Sequence, residues 1–289
     1  MTDYPAAHSM DTTWFAVDQD GHVAAFETGE AGAVPTEAYL GEDVPHDELR
    51  ALPRTPDLVD VDGLFADDAG TQPHVKAIDG LAQDVVVELA PGAEVDDELR
   101  AALGAHPIAT TTGSCLAVSS RDVAAFARLH DRGLCRRCIV TFDLVPDGEE
   151  GESLSRFGLY NYQHTTDNWI AGPYARASIP ERPLARGDLP AEIRDNLVEF
   201  PGSFAQVLVI QPAELWPSEA WGAAWLATDR TTVRPFPGRA GDYAAEIAMV
   251  HEVDPSLVVL GADGQPFVPP PPAEAPGTRP PWWKFWRRR

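Results

Sequence analysis

Cysteine is scarce in this chain, with three in 289 residues, too few for the paired framework that staples small secreted domains. Positive charge is scarce as well. Against 45 Asp and Glu there are 22 Lys and Arg, a formal charge of -23. So acidic a surface repels phosphate backbones, which argues against nucleic-acid binding. No apolar run approaches the ~20 residues of a membrane-spanning helix, and no charged start followed by an apolar stretch marks a secretory leader. A reducing, cytoplasmic setting is therefore the expectation. The sequence also lacks a P-loop, a dinucleotide glycine fingerprint, a G-x-S-x-G elbow and an H-E-x-x-H pair, so no cofactor is expected.

What is present reads as a globular protein with an unusual amount of proline. Apolar residues make up 44% and charged residues 23%, both ordinary values. The 27 prolines exceed the usual ~5% share and favour turns and edge strands over long helices. The expected fold is α+β, built mainly of antiparallel short strands and hairpins with four or five short helices. Residues 1–13 read as a frayed, disordered start and 14–268 as the body, either one unit or two packed halves dividing near residue 150. Residues 269–281 read as a proline-rich linker, and 282–289 as an aromatic and cationic tail.

Several elements follow from local chemistry. Trp14 to Phe26 spells a hairpin, two apolar runs flanking Asp20-Gly21, where glycine supplies the positive φ of a tight turn. Asp18 and Asp20 have calcium-loop spacing, but no further acidic ligand and no closing Glu follow, so they read as turn chemistry. Pro45 to Leu52 reads as a short helix with Pro45 near its first turn. Asp84 to Leu89 is a β-branched strand, and Val95 to Leu103 a helix with Gly104 just past its end. Ser119 and Asp122 have capping-box spacing, after which Val123, Phe126, Ala127 and His130 share a helical face. Cys138 to Val145 and Gln206 to Ile210 read as strands, Gly187 to Leu197 as a helix, and a further short helix is expected near Ser218. Trp225 to Phe236 echoes the opening hairpin, as though both were outer hairpins of one sheet system. Ser256 to Val268 gives a last hairpin.

Arg156 to Tyr174 concentrates three of the six tyrosines with Phe157, His164 and Trp169. Tyr160, Tyr162, His164, Asn168, Trp169 and Tyr174 could line a pocket, since aromatic walls with a few polar groups make binding clefts. The same block could be the packing centre of a mixed sheet, the preferred reading because aromatics dominate cores. Two chemical alternatives involve cysteine. Cys115, His130, Cys135 and Cys138 together make a Cys3His set for structural zinc. Against it, Cys138 runs directly into Ile139-Val140, and Cys115 has no x-x-Cys mate. A Cys-His hydrolase would use Cys115 as nucleophile, His164 as base and Asp167 or Asn168 as orienter, without the flanking signature of the papain-like families. Buried, inert thiols are the plainer reading, with no metal bound.

The final stretch is the least ordinary. From Pro270 onward stand five Lys or Arg and one Glu. That part carries +4 and the rest of the chain -27. Four consecutive prolines from Pro269 favour an extended spacer. It leads to Trp282, Trp283, Lys284, Phe285, Trp286, Arg287, Arg288 and Arg289. Indoles settle at the lipid headgroup layer, and cations gain about 1 kcal/mol each near an anionic surface. The partner expected from these residues is an anionic membrane surface or a protein with an acidic groove, and the protein would then be peripheral at a membrane.

Tyr162-x-His164, Asn168-Trp-Ile-x-Gly-Pro-Tyr174, Leu189-Pro to Ile193-Arg194, Ile210-Gln-Pro212 and Trp221-Gly-x-Ala-Trp-Leu226 resemble an uncharacterised family of soluble bacterial proteins. The resemblance covers about a quarter of the chain and implies a bacterial, soluble protein with no catalytic residue carried over. The functional expectation is a non-enzymatic cytoplasmic interaction protein. An acidic body could also neutralise a basic partner in the manner of toxin-immunity proteins, an analogy only.

Overall fold

A computed structural model describes residues 12–29, 31–38, 52–53, 57–64, 84–111, 113–118, 123–141, 154–165, 170–239, 246–247, 250, 254–261 and 263–267. They form an α+β architecture of antiparallel-rich sheets with short helices. The opening hairpin forms as expected. Thr13–Val17 pairs with Val23–Glu27 around a turn in which Gly21 adopts φ 80°. Asp18 makes that turn: its Oδ1 accepts the backbone N–H groups of Asp20 and His22, both at 2.9 Å.

The hairpin is the middle of the main sheet. Val198–Glu199 lies parallel to its first strand, and Tyr160–His164 lies parallel to its second. Tyr174–Pro180 follows antiparallel, flanked by Val209–Ile210 at one end and Asp57–Val59 at the other. Strands from either side of residue 150 therefore share hydrogen bonds in one sheet, and a division there would cut it. One face buries Trp14, Phe26, Tyr160, Tyr162, Tyr174 and Phe204. The other buries Phe15, Val23, Leu159, Leu189 and Ile193. Alternation along the strands sends successive side chains to these two cores.

Residues 84–141 form a second unit between two strands of the main sheet. The elements run strand Asp84–Leu89, helix Asp97–Leu103, strands Ala105–Ile108 and Cys115–Val118, helix Val123–Asp131, strand Cys135–Thr141. Their all-antiparallel sheet places Asp84–Leu89 between Cys115–Val118 and Cys135–Thr141, with Ala105–Ile108 outermost. This is the split βαβ arrangement. Asp96 caps the first helix by accepting from Leu99 N–H, and Gly104 closes it at φ 55°. In the second helix Ala125, Phe126 and Leu129 face the sheet, whereas Ala127 and His130 are exposed. The expected face was rotated because it ran through His130; the apolar stripe passes through Leu129 instead.

A short segment clasps the two units. Asp57–Val59 pairs with Tyr174–Pro180 of the main sheet, while Val59 also bridges Thr110 of the second unit. In the single helical turn Val61–Leu64, Val61 packs on Val86 and Cys115. Asp60 accepts from Gly63 N–H at 2.9 Å and forms a buried ion pair with Arg176 at 2.5 Å. Asp62 binds Arg137 at 3.1 Å, and Arg137 with Arg136 holds the buried carboxylate of Glu88. Gly63 leaves no alternative, since a Cβ there would stand 1.8 Å from the carbonyl oxygen of Arg176.

Other expectations are corrected. Ser218–Glu219 is a strand paired with Val34–Pro35, and the nearby helical turn is Pro212–Leu215. The echo hairpin Ala224–Leu226 with Thr232–Pro235 forms, but in a separate sheet with Val258–Val259. The helix read over 187–197 is a single turn, Ala191–Arg194, with no side-chain cap. The expected helix over 45–52 and the capping pair Ser119 and Asp122 lie outside the described residues, apart from Leu52.

The clasp yields a test. Asp60→Ala leaves the Arg176 guanidinium buried without its carboxylate, a loss of about 3–5 kcal/mol. Urea denaturation monitored by tryptophan fluorescence should show the midpoint shift.

Candidate functional site

The aromatic block is core. Trp14 stacks on Phe26 with ring centroids 4.0 Å apart, and Phe26 stacks on Tyr162 at 4.9 Å. Tyr174 meets both Trp14 and Phe26 edge-on. The buried phenols are satisfied internally: Tyr162 donates to the Val207 carbonyl at 2.5 Å, and Tyr174 to that of Ala33 at 2.9 Å. Burial pushes both phenols far above the usual tyrosine range. Tyr160, Tyr162 and Tyr174 thus fill space where the pocket reading put ligand. Asn168, Trp169 and Asp167 lie outside the described residues.

His164 is used structurally. It ends its strand opposite Tyr174, and its Nε2 accepts the Gly172 N–H at 2.8 Å. Burial lowers its pKa to about 4, so the ring is neutral near pH 7. Cys115 belongs to the other unit, opposite Glu88 and Ile108. The clasp meets the main sheet along Arg176 to Pro180, on the strand that begins at Tyr174. Cys115 and His164 stand in different sheets. Burial also pushes the Cys115 thiol up to about 11, the reverse of an activated nucleophile.

The zinc set separates for a reason of pleat. Cys115 faces the clasp with Val61 and Val86, whereas Cys135 and Cys138 pack on the opposite, helix-covered face. His130 is exposed on the second helix. Burial pushes Cys135 up to about 11 as well. Four donors that the sheet divides between two faces cannot close one tetrahedron.

An open concavity lies elsewhere, at the opening hairpin's turn. Val17–Gly21 is gripped from two sides: Arg186 N–H donates to the Gly21 carbonyl at 3.0 Å, and Gln19 N–H to that of Gly202 at 3.1 Å. Between these contacts is a cleft of about 580 Å³ lined by Asp18, Gln19, Arg186, Glu199 and Phe200 among others. Arg186 and Glu199 face each other at 3.5 Å. Asp18 is anchored to the far loop, its Oδ2 accepting Phe204 N–H at 2.9 Å. The sequence signalled Asp18 as turn chemistry but gave no hint of Glu199, brought alongside by the parallel pairing of Val198–Glu199, or of Arg186, brought there by the bridge of Ala185 to His22. Against family models, curated proteins and solved structures alike, the chain finds no match.

Two measurements check these assignments. His164 is neutral in both folded and unfolded chains above pH ~6.5. As pH falls from there towards 4, the unfolded chain takes up a proton that the native ring refuses. Stability declines across that window, on the order of 3 kcal/mol in all. The decline should flatten in His164→Gln, which keeps an acceptor for Gly172, when the two are compared by denaturation from pH 7 to 4. Alkylation of native Cys115 and Cys135 by iodoacetamide at pH 7.5, read by peptide mass spectrometry, should run roughly a hundredfold slower than in denaturant.

Proposed function

We propose that the protein is a non-catalytic binding protein whose segment 282–289 engages an anionic membrane surface. The observation that carries this reading is the charge segregation of the sequence. Three Trp, one Phe and four cations occupy eight residues, in a chain that is otherwise strongly acidic. These residues lie outside the described ones, so the support is compositional. Indoles favour the headgroup layer, and each Lys or Arg adds about 1 kcal/mol near anionic lipid. The body is repelled by the same surface, which makes the proline-rich stretch 269–281, read from sequence as a spacer, a fitting connection. Support also comes from the body itself, where the aromatic block, His164 and the thiols of Cys115 and Cys135 serve packing.

Among the described residues no helix is long and apolar enough to cross a membrane. The attachment proposed is peripheral and reversible, because one short anchor gives only marginal binding.

Vesicle flotation tests it. The full chain should float with vesicles containing phosphatidylserine and stay down with purely zwitterionic ones. Neutralising Lys284, Arg287, Arg288 and Arg289 to Gln removes about 4 kcal/mol, enough to abolish flotation at physiological salt. Equal flotation of the wild type and this variant would overturn the reading. So would an absence of flotation together with salt-sensitive capture of an acidic protein, which would favour a protein partner.

A further inference from the structure

The opening hairpin's turn also brings three possible metal donors together. One donor atom from each of Asp18, Asp20 and His22 lies within 4.8 Å of the others. The three come from alternate positions of a five-residue stretch, so a single tight turn converges them. Asp18 is fully buried as a side chain and Asp20 exposed, while His22 is one-third exposed.

Two observations point to a missing partner. The first is an accounting of lone pairs. An ionised carboxylate has about four acceptor sites. Asp18 uses two on Oδ1, for Asp20 and His22 N–H, and one on Oδ2, for Phe204 N–H. The fourth, on Oδ2, is left over. The second concerns His22. Its Nδ1 is buried and has no hydrogen-bond partner. The nearest charged oxygen is that same Asp18 Oδ2, 3.8 Å away and beyond hydrogen-bond reach. A buried ring nitrogen without a partner costs free energy, and here it faces an oxygen with spare capacity across a gap too wide for a proton.

A cation suits that gap. Two donors each about 2.1 Å from one ion stand at most roughly 4.2 Å apart, and 3.8 Å falls inside the limit. We infer that Asp18 Oδ2, His22 Nδ1 and the Asp20 carboxylate form a binding site for a divalent first-row transition cation, with Zn2+ the best fit among common ions. An imidazole with two carboxylates suits such metals, whereas Ca2+ asks for six to eight oxygens. Asp20, being exposed, can swing to complete the set. Asp18 is held on three backbone donors, and the His22 backbone bridges Ala185, so the other two ligands are preorganised. The ion would stand beside the cleft that Asp18 lines. The overall negative charge favours cation capture. The site is independent of the membrane reading.

The test is calorimetric titration of the full chain, stripped with chelator, with ZnCl2 and separately with CaCl2. Binding of Zn2+ in the micromolar range at a site sensitive to both His22→Ala and Asp20→Ala is expected, each substitution weakening it at least tenfold, with no heat from Ca2+ at the same concentrations. Asp20→Ala guards against a folding artefact. Only the Asp20 backbone N–H takes part in the turn, and positive φ outside glycine is confined, among the described residues, to Arg230. Zn2+ should accordingly raise the melting temperature of the wild type and not that of Asp20→Ala. Absence of Zn2+ uptake, or wild-type affinity persisting in both variants because other histidines bind it, would overturn the assignment.

Discussion

The stacking of Phe26 on Tyr162 joins two strands more than a hundred residues apart in sequence, and the main sheet depends on it. Closing a chain loop of that length costs about 4 kcal/mol beyond a fixed term, by the logarithmic growth of loop entropy. Burying each large ring returns roughly 1.5–3 kcal/mol. Trp14, Phe26, Tyr162, Tyr174 and Phe204 are all fully buried in the same cluster, and their burial works against that closure cost. The stack works alongside the parallel ladder of Val23–Glu27 with Tyr160–His164 and the second core on the opposite face.

The second unit brings its own core but not its own orientation. That is supplied by the clasp, in which two charged pairs point opposite ways from one helical turn: Asp60 to Arg176 of the main sheet, Asp62 to Arg137 of the second. The first pair is buried and the second exposed, and neither kind adds much net stability, the one because desolvation offsets the attraction and the other because water screens it. Their use here is geometric, since an apolar contact would tolerate sliding that a paired and hydrogen-bonded carboxylate does not.

The groups most suggestive of catalysis serve this framework. His164 receives a backbone N–H, Cys115 lies beneath the clasp, and the tyrosines donate to carbonyls. The two features proposed for interaction are a turn with carboxylates and an imidazole, and a cationic, indole-rich stretch of sequence. Both are expected to act through charge, a cation drawn to the first and an anionic surface to the second.

Sequence by itself determined the local elements whose chemistry is complete within a few residues. The Asp-Gly turn, the strand Asp84–Leu89, the helix ending before Gly104 and the hairpin after Trp225 were legible because glycines and alternation act at short range. The charge segregation was legible for the same reason, being a property of composition. Tertiary structure decided the rest. No local signal says that Val198–Glu199 lies beside Thr13–Val17, that the pleat sends Cys115 and Cys138 to opposite faces, or that His130 turns to solvent while Leu129 turns inward. Nor does spacing alone reveal that His22 Nδ1 is buried opposite a spare lone pair of Asp18. Each depends on contacts between residues far apart in the chain, where the burial of many side chains at once, and not the preference of any one, selects the arrangement.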